Sequence, residues 1–365
     1  MDKKITFIIP SMRGGGAEKV TMLLSNELIN RDWEVTLLMC SVVGPYLSSL
    51  SSKIKIIKLK YNKISRNIFE LKKYMDINTK DIFYSSMNYV NIVACISFAL
   101  SKGQSKLIIS EHNDIVEVLN NSNKLLKFIM DKGIKFFYKK ADKIICVSKG
   151  VEESLNKKYS LSSKTIVIYN PIQQFNDISS TSTKPSSTYN ILSIGRLTQQ
   201  KNFTFLINAF FELRKLLPQH YLKLTILGEG ELRKDLEAQI NRLNLNEIVF
   251  LPGFDDISRF LQESNLFVLS SNREGFGNVI VEALSAGLPV VSTDCPSGPS
   301  EILENGKYGK LVPINDVKSL RDSMYQLLLN PNQLSNSQER KQKANEFNVE
   351  KIINLYESVF LSLKT

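Results

Sequence analysis

The stretch that most constrains this chain spans residues 266–301, LFVLSSNREGFGNVIVEALSAGLPVVSTDCPSGPSE. Residues 266–270 are an apolar run of strand length, and the polar segment 271–277 carries Arg273 and Glu274 at its tip. A helix is predicted from Asn278 to Ala286, where Gly287 supplies a residue that closes helices well. Residues 289–293 form a second apolar, β-branched run, followed by turn residues over 294–298. Strand, glycine loop, helix and strand make one parallel βαβ unit. In sheets built from such units, ligands bind at the carboxyl ends of strands, against helix N-termini.

Two carboxylates, Glu274 and Glu282, frame that helix start. Gly275 and Gly277 lack a Cβ, so the backbone can approach a ligand closely. The amides of Gly277, Asn278 and Val279 are first-turn donors suited to an anion. A carboxylate beside an anion site needs another task, such as accepting hydrogen bonds from sugar hydroxyls. A solvated pair with no role is the alternative.

Glu274-GFGNVIV-Glu282, followed by PVVSTD, resembles the E-x7-E signature of the family 4 retaining glycosyltransferases. The flanking PSGPSE resembles the version in enzymes of bacterial capsule, O-antigen and other surface polysaccharides. The resemblance implies an α/β chain of GT-B architecture, with two Rossmann-like parallel-sheet domains facing a central cleft. Further blocks extend it over nearly the whole chain.

A chain of 365 residues fits two domains better than one core. The expected division is an N-terminal acceptor-side domain over 1–172, a linker over 173–188, a nucleotide-sugar domain over 189–346 and a terminal helix over 347–365 that, as the resemblance implies, crosses back to the N-terminal domain. The linker rests on the polar run NDISSTSTKPSST, which has no apolar period. The net charge of +11 is uneven: residues 1–172 carry 27 Lys and Arg against 15 Asp and Glu, and residues 173–365 carry 20 against 21. A basic first half seeks an anionic partner. No recognised nucleic-acid module is evident, which favours a membrane surface or lipid diphosphate. The apolar run 91–100 is too short to span a bilayer, and the N-terminal MDKKITFIIP reads as a first strand. The four cysteines are widely spaced and read as reduced structural thiols; with only two histidines, no metal site is expected.

Residues 5–10, SMRGGG and a helix over 17–30 repeat the strand, glycine loop, helix pattern. The consecutive glycines do not form the spaced dinucleotide fingerprint, so a flexible turn and a phosphate or acceptor contact both remain open. Gly15 and Gly16 lie within Gly14 to Glu18, which matches the family's Gly-Gly-Ala-Glu. His112 stands at the carboxyl end of the strand 107–110. It is either an idle loop histidine or, as the resemblance implies, a neighbour of the donor sugar. Residues 124–143 interleave Leu125, Leu126, Ile129, Met130, Phe136 and Phe137 with seven lysines. That composition fits an interfacial helix on anionic lipid, and equally a core-facing helix with a solvated lysine face.

Gly195, Arg196 and Lys201 lie in a loop between a strand and a helix, where a guanidinium fork and an ammonium suit a diphosphate. They match the family's G-R-x-x-x-x-K-N block. Pro252-Gly253-Phe254 matches the segment whose backbone holds the base, and Phe276 falls inside the signature itself. By resemblance, Glu282 binds ribose hydroxyls, Glu274 positions the donor sugar, and Arg196 and Lys201 stabilise the leaving diphosphate. The expected enzyme is a retaining hexosyl- or N-acetylhexosaminyltransferase that needs no metal or other cofactor, and the chain contains no Asp-x-Asp. Its expected donor is a UDP-sugar and its acceptor a polyprenyl-diphosphate-linked oligosaccharide, at the cytoplasmic face of the membrane. A soluble transferase acting on a small sugar or glucan, and a non-catalytic nucleotide-sugar-binding protein, are the alternatives.

Overall fold

Apolar runs alternating with amphipathic helical segments favour parallel pairing, because a crossover helix returns the chain beside the preceding strand in the same direction. The computed structural model describes residues 3–120, 123–175 and 188–364. It divides into two units, Met1–Pro171 with Val349–Thr365, and Ile172–Asn348.

The first unit runs β1 (Lys4–Ile9), α1 (Gly16–Asn30), β2 (Glu34–Met39), β3 (Lys55–Lys58), α2 (Ile68–Ile77), β4 (Ile82–Ser86) and α3 (Asn88–Leu100). It continues with β5 (Lys106–Glu111), α4 (Ile115–Asn120), α5 (Lys124–Phe137), β6 (Lys143–Cys146), α6 (Lys149–Tyr159) and β7 (Thr165–Val167). The strands form one parallel sheet in the order β3-β2-β1-β4-β5-β6-β7. Helices on both faces bury its central strands, which explains why β4 reads IFYSS and β5 KLIISE rather than alternating strictly.

The second unit runs β8 (Thr188–Ile194), α7 (Phe203–Leu216), β9 (Tyr221–Leu227), α8 (Arg233–Arg242), β10 (Val249–Gly253), α9 (Ile257–Glu263) and β11 (Leu266–Leu269). There follow α10 (Asn278–Ser285), β12 (Val290–Thr293), α11 (Pro299–Ile302), β13 (Lys310–Val312), α12 (Val317–Leu329) and α13 (Ser337–Ala344). Its parallel sheet has the order β10-β9-β8-β11-β12-β13. The chain winds outward from β8 to β10, then returns to the other side at β11. That reversal opens a crevice between the carboxyl ends of β8 and β11. Both sheets are thus Rossmann-like, as the sequence predicts.

The last helix, α14 (Val349–Ser362), belongs to the first unit. Ile352, Ile353, Tyr356, Val359 and Phe360 share one buried face and join the core of Ile5, Phe7, Val20 and Trp33. Phe360 meets Trp33 edge-on, ring centroids 5.8 Å apart. Glu357 accepts from Trp33 Nε1 at 2.8 Å and from Arg31 at 3.0 Å.

Two boundaries differ from the sequence reading. The second unit takes in Ile172, before the expected linker: the Ile172 amide donates to the Phe347 carbonyl, and the Phe175 amide to Ser285 Oγ. Both side chains are buried apolar anchors, and of the expected linker residues 176–187 lie outside the described residues. The lysine-aromatic stretch is not one helix either. It stops at Phe137 and tightens over Tyr138–Lys140, where Tyr138 turns inward to donate to Glu111. Among the described residues no helix is long and apolar enough to cross a membrane. All four cysteines are buried free thiols.

Candidate active site

The residues singled out in the second unit collect at the carboxyl ends of four adjacent strands: Gly253 at β10, Gly228 after β9, Gly195 to Lys201 after β8, and Ser271 to Glu274 after β11. The loops after β8 and β11 are stitched together across the crevice. The Asn272 amide donates to the Gln200 carbonyl at 2.8 Å, and Gln200 Nε2 to the Arg273 carbonyl at 3.0 Å. Asn272 Nδ2 reaches the Gln199 carbonyl at 3.0 Å, and Ser270 Oγ the Lys201 carbonyl at 2.8 Å. These short polar side chains satisfy loop backbone that no sheet ladder reaches.

The stitching brings Lys201 to Glu274. Lys201 Nζ lies 2.5 Å from Glu274 Oε1, across the switch point and 73 positions apart in sequence. The same oxygen accepts from Ser271 Oγ at 2.6 Å. Ser271 is held in turn by its carbonyl, which accepts from Thr293 Oγ1 at 2.6 Å. Glu274 is only 8% exposed, so the carboxylate is fixed in place and oriented by a cation and a hydroxyl. Arg196 is exposed on the same loop as Lys201.

Glycine shapes the floor. Gly228 has φ +140°, and a Cβ there would lie 2.0 Å from the Gly195 carbonyl oxygen. Its amide donates to the Gly253 carbonyl at 2.8 Å, so Gly228 sits between the two predicted backbone positions Gly195 and Gly253. Gly277, at φ +101°, turns the chain into α10, which then presents Asn278 and Val279 in its first turn. Glu282 is buried one turn further on. Phe276 serves differently from the rest. Its ring is 2% exposed and packs edge-on against Phe347 at 5.3 Å, so that side chain is committed to packing.

In the first unit, Gly15 and Gly16 start α1 beyond β1, and His112 follows β5, so both lie at the carboxyl edge of their sheet. His112 Nε2 lies 3.2 Å from Ser110 Oγ. Desolvation pushes the imidazole down to about 4, so it is a neutral hydrogen-bonding group at pH 7. Beside it Glu111 is fully buried, accepting from Asn91 Nδ2 at 2.7 Å and from the Tyr138 hydroxyl. Desolvation pushes its carboxyl up to about 7, although both hydrogen bonds favour the charged form. Between about pH 4.5 and 7 the folded chain therefore holds a proton that the unfolded chain releases. This group's contribution to stability falls as pH rises through that window, by on the order of 3 kcal/mol. Glu111→Gln is expected to remove that slope. Urea melts of both proteins from pH 5 to 8 check it, and parallel pH profiles would refute it.

Sequence reasoning did not find Ser271, Thr293, Gln200 or Asn272. The only signal available was small polar residues directly after apolar strands. Among the described residues, no group of three or more His, Cys, Asp or Glu is placed to hold a metal ion.

Comparison with known proteins fits this geometry. Residues 14–173 match the family described as Glycosyltransferase Family 4, and residues 174–345 match Glycosyl transferases group 1. The chain is 32% identical over 352 residues to the N-acetylgalactosamine-N,N'-diacetylbacillosaminyl-diphospho-undecaprenol 4-alpha-N-acetylgalactosaminyltransferase of Campylobacter jejuni, covering 89% of this chain and 90% of that protein. It is 26% identical to the amylovoran biosynthesis glycosyltransferase AmsD of Erwinia amylovora, covering 84% of this chain and 85% of that one. Among solved structures, Anabaena HepE in complex with UDP and glucose superposes with a TM-score of 0.82 at 19% identity, covering 99% of this chain and 100% of HepE.

Proposed function

The chain belongs to the family 4 glycosyltransferases of the GT-B fold, and from that premise we propose that it transfers a hexosyl or N-acetylhexosaminyl group from a UDP-sugar to a polyprenyl-diphosphate-linked oligosaccharide, with retention and without a metal. The proposed setting is surface-polysaccharide assembly at the cytoplasmic face of the membrane, with the protein bound peripherally. The observation that carries the chemistry is the Lys201–Glu274 contact at the switch point of the second sheet. Support for the acceptor comes from the Campylobacter relative, whose name specifies a diphospho-undecaprenol substrate.

As the glycosidic bond breaks, negative charge builds on the leaving diphosphate. Arg196 and Lys201 supply cations there, and the first-turn amides at Gly277, Asn278 and Val279 supply dipoles. Glu274 accepts hydrogen bonds from donor-sugar hydroxyls and so positions the anomeric carbon. Its contact with Lys201 ties sugar position to diphosphate position, so one displacement disturbs both. Glu282 receives the ribose hydroxyls, and backbone at Gly253 and Gly195 borders the base and phosphates. The neutral His112 and the loop at Gly15 and Gly16 serve the sugar and acceptor side.

The test is a panel of UDP- and GDP-sugars, with and without EDTA, in the presence of membranes bearing lipid-linked oligosaccharide. The expected result is acceptor-dependent UDP release that EDTA leaves unchanged, with an α-configured product from an α-linked donor. Turnover with a water-soluble acceptor alone would replace this reading by a soluble transferase. Nucleotide-sugar binding without any release would replace it by a binding protein.

A further inference from the structure

Helix α5 is amphipathic in an unusual sense. Its inner face, Met130, Gly133 and Ile134, is buried, and Gly133 lies close against Ile92 of α3. Asp131 anchors it laterally, 2.7 Å from Lys158 and accepting from the Tyr159 hydroxyl at 2.8 Å. The helix is thus seated without help from its outer face.

That outer face is also apolar. Leu125 is 71% exposed, Phe128 61%, Ile129 56% and Phe136 60%. Their spacing, i, i+3, i+4 and i+11, places all four on one stripe pointing away from the unit. Exposed Lys132 falls on the same stripe, with its ammonium 5.6 Å from the Phe128 ring centroid. Lys124, Lys135, Lys139 and Lys140 are exposed around it. The helix thus has a core-facing side and, opposite it, an exposed apolar side interleaved with lysine.

We propose that the outer face of α5 docks the first unit on an anionic lipid surface. The four apolar side chains enter the headgroup region while the lysines meet lipid phosphates. A helix of 14 residues lying flat offers a contact roughly 21 Å long. Charge selects this occupant. Two copies joined through this face would press like-charged lysine rows together, whereas an anionic bilayer complements them. The inference deepens the proposed function, on which its biological sense rests, by naming the surface that would bring the enzyme to a lipid-linked acceptor.

Vesicle co-sedimentation of the full chain, without donor or acceptor, reads this surface separately from catalysis. Phosphatidylcholine vesicles are compared with and without phosphatidylglycerol. The wild type is expected to bind the mixed vesicles, more weakly as salt rises. Phe128→Ser with Ile129→Ser is expected to lower binding by more than about tenfold, since both insertion and its cost change. Lys132→Glu with Lys135→Glu is expected to lower it comparably and to flatten the salt dependence. Leu355→Ser removes an exposed apolar residue of α14 and is expected to bind as wild type. All variants should retain wild-type melting and UDP-sugar binding, so loss of vesicle binding with an intact donor site supports the proposal. Equal binding to both vesicle types would overturn it, as would α5 variants that bind like wild type. A dimer that only the α5 variants dissolve would also overturn it and assign the face to a second copy. Failure of the donor panel with vesicle binding intact would strike the proposed function and leave this surface standing.

Discussion

Lys201→Ala is expected to lower kcat for sugar transfer by roughly 100- to 1,000-fold, the usual loss when one preorganised donor is removed from a developing oxyanion. Two effects combine. The leaving diphosphate loses a cation, and Glu274, buried at 8% exposure, loses the partner that fixes it. The second effect makes the two residues non-additive. Glu274→Gln alone and the double variant are therefore expected to lose nearly the same activity as Lys201→Ala, rather than the product of the single losses. Steady-state kinetics on the three variants measure the coupling. Thermal melts beside them show whether the crevice survives. A Lys201→Ala enzyme within threefold of wild type, folded and saturable, would remove the ion pair from the mechanism.

Phe360→Ala is expected to destabilise the first unit by about 3–5 kcal/mol, in the range for large aromatic truncations in cores. Phe360 is fully buried among Trp33, Tyr84 and Tyr356, so truncation removes three aromatic contacts at once. The chain has one tryptophan, and Trp33 packs directly on Phe360. Tryptophan fluorescence in a urea titration thus reports the first unit alone, which matters because a two-unit protein need not unfold in one step. The expected result is an earlier fluorescence transition, with the second unit's share of the helix signal lost in a separate step. A midpoint unchanged from wild type would show that α14 does not share the first unit's core.

Several features of this protein act within a few residues of sequence, and these are legible without a structure. Periods of apolar residues mark the βαβ units, because a strand or helix buries one face by its own repeat. Gly277 and Gly287 bracket α10 because only a residue tolerant of the left-handed region turns the chain there. The spacing of Glu274 and Glu282 is likewise local, and it carried the family resemblance. Within such windows the parallel class of both sheets and the position of the crevice loops follow from pattern alone.

Other features depend on which distant segments meet, and no local period encodes that. The amphipathicity of α14 was readable, but its partner was settled by the pocket that Ile5, Phe7 and Trp33 leave on the first unit. Ile172 reads as the end of the first domain and residues 173–175 as the start of a linker, yet Ile172 and Phe175 found backbone and hydroxyl partners on the second unit. The orientation of α5 could not be read because both of its faces are apolar; packing of Gly133 against Ile92 chose the inner one. Lys201 and Glu274 each stand out by motif, but nothing in either loop says that the two side chains pair. Sheet order placed β8 beside β11, and only that adjacency desolvated the pair and set its geometry. The sequence by itself determined the elements and the chemistry available to them, because dihedral preferences and apolar periods are local. The tertiary structure decided which charges are paired, which faces are covered and which remain exposed, because burial and Coulomb energy depend on neighbours the chain brings together only on folding.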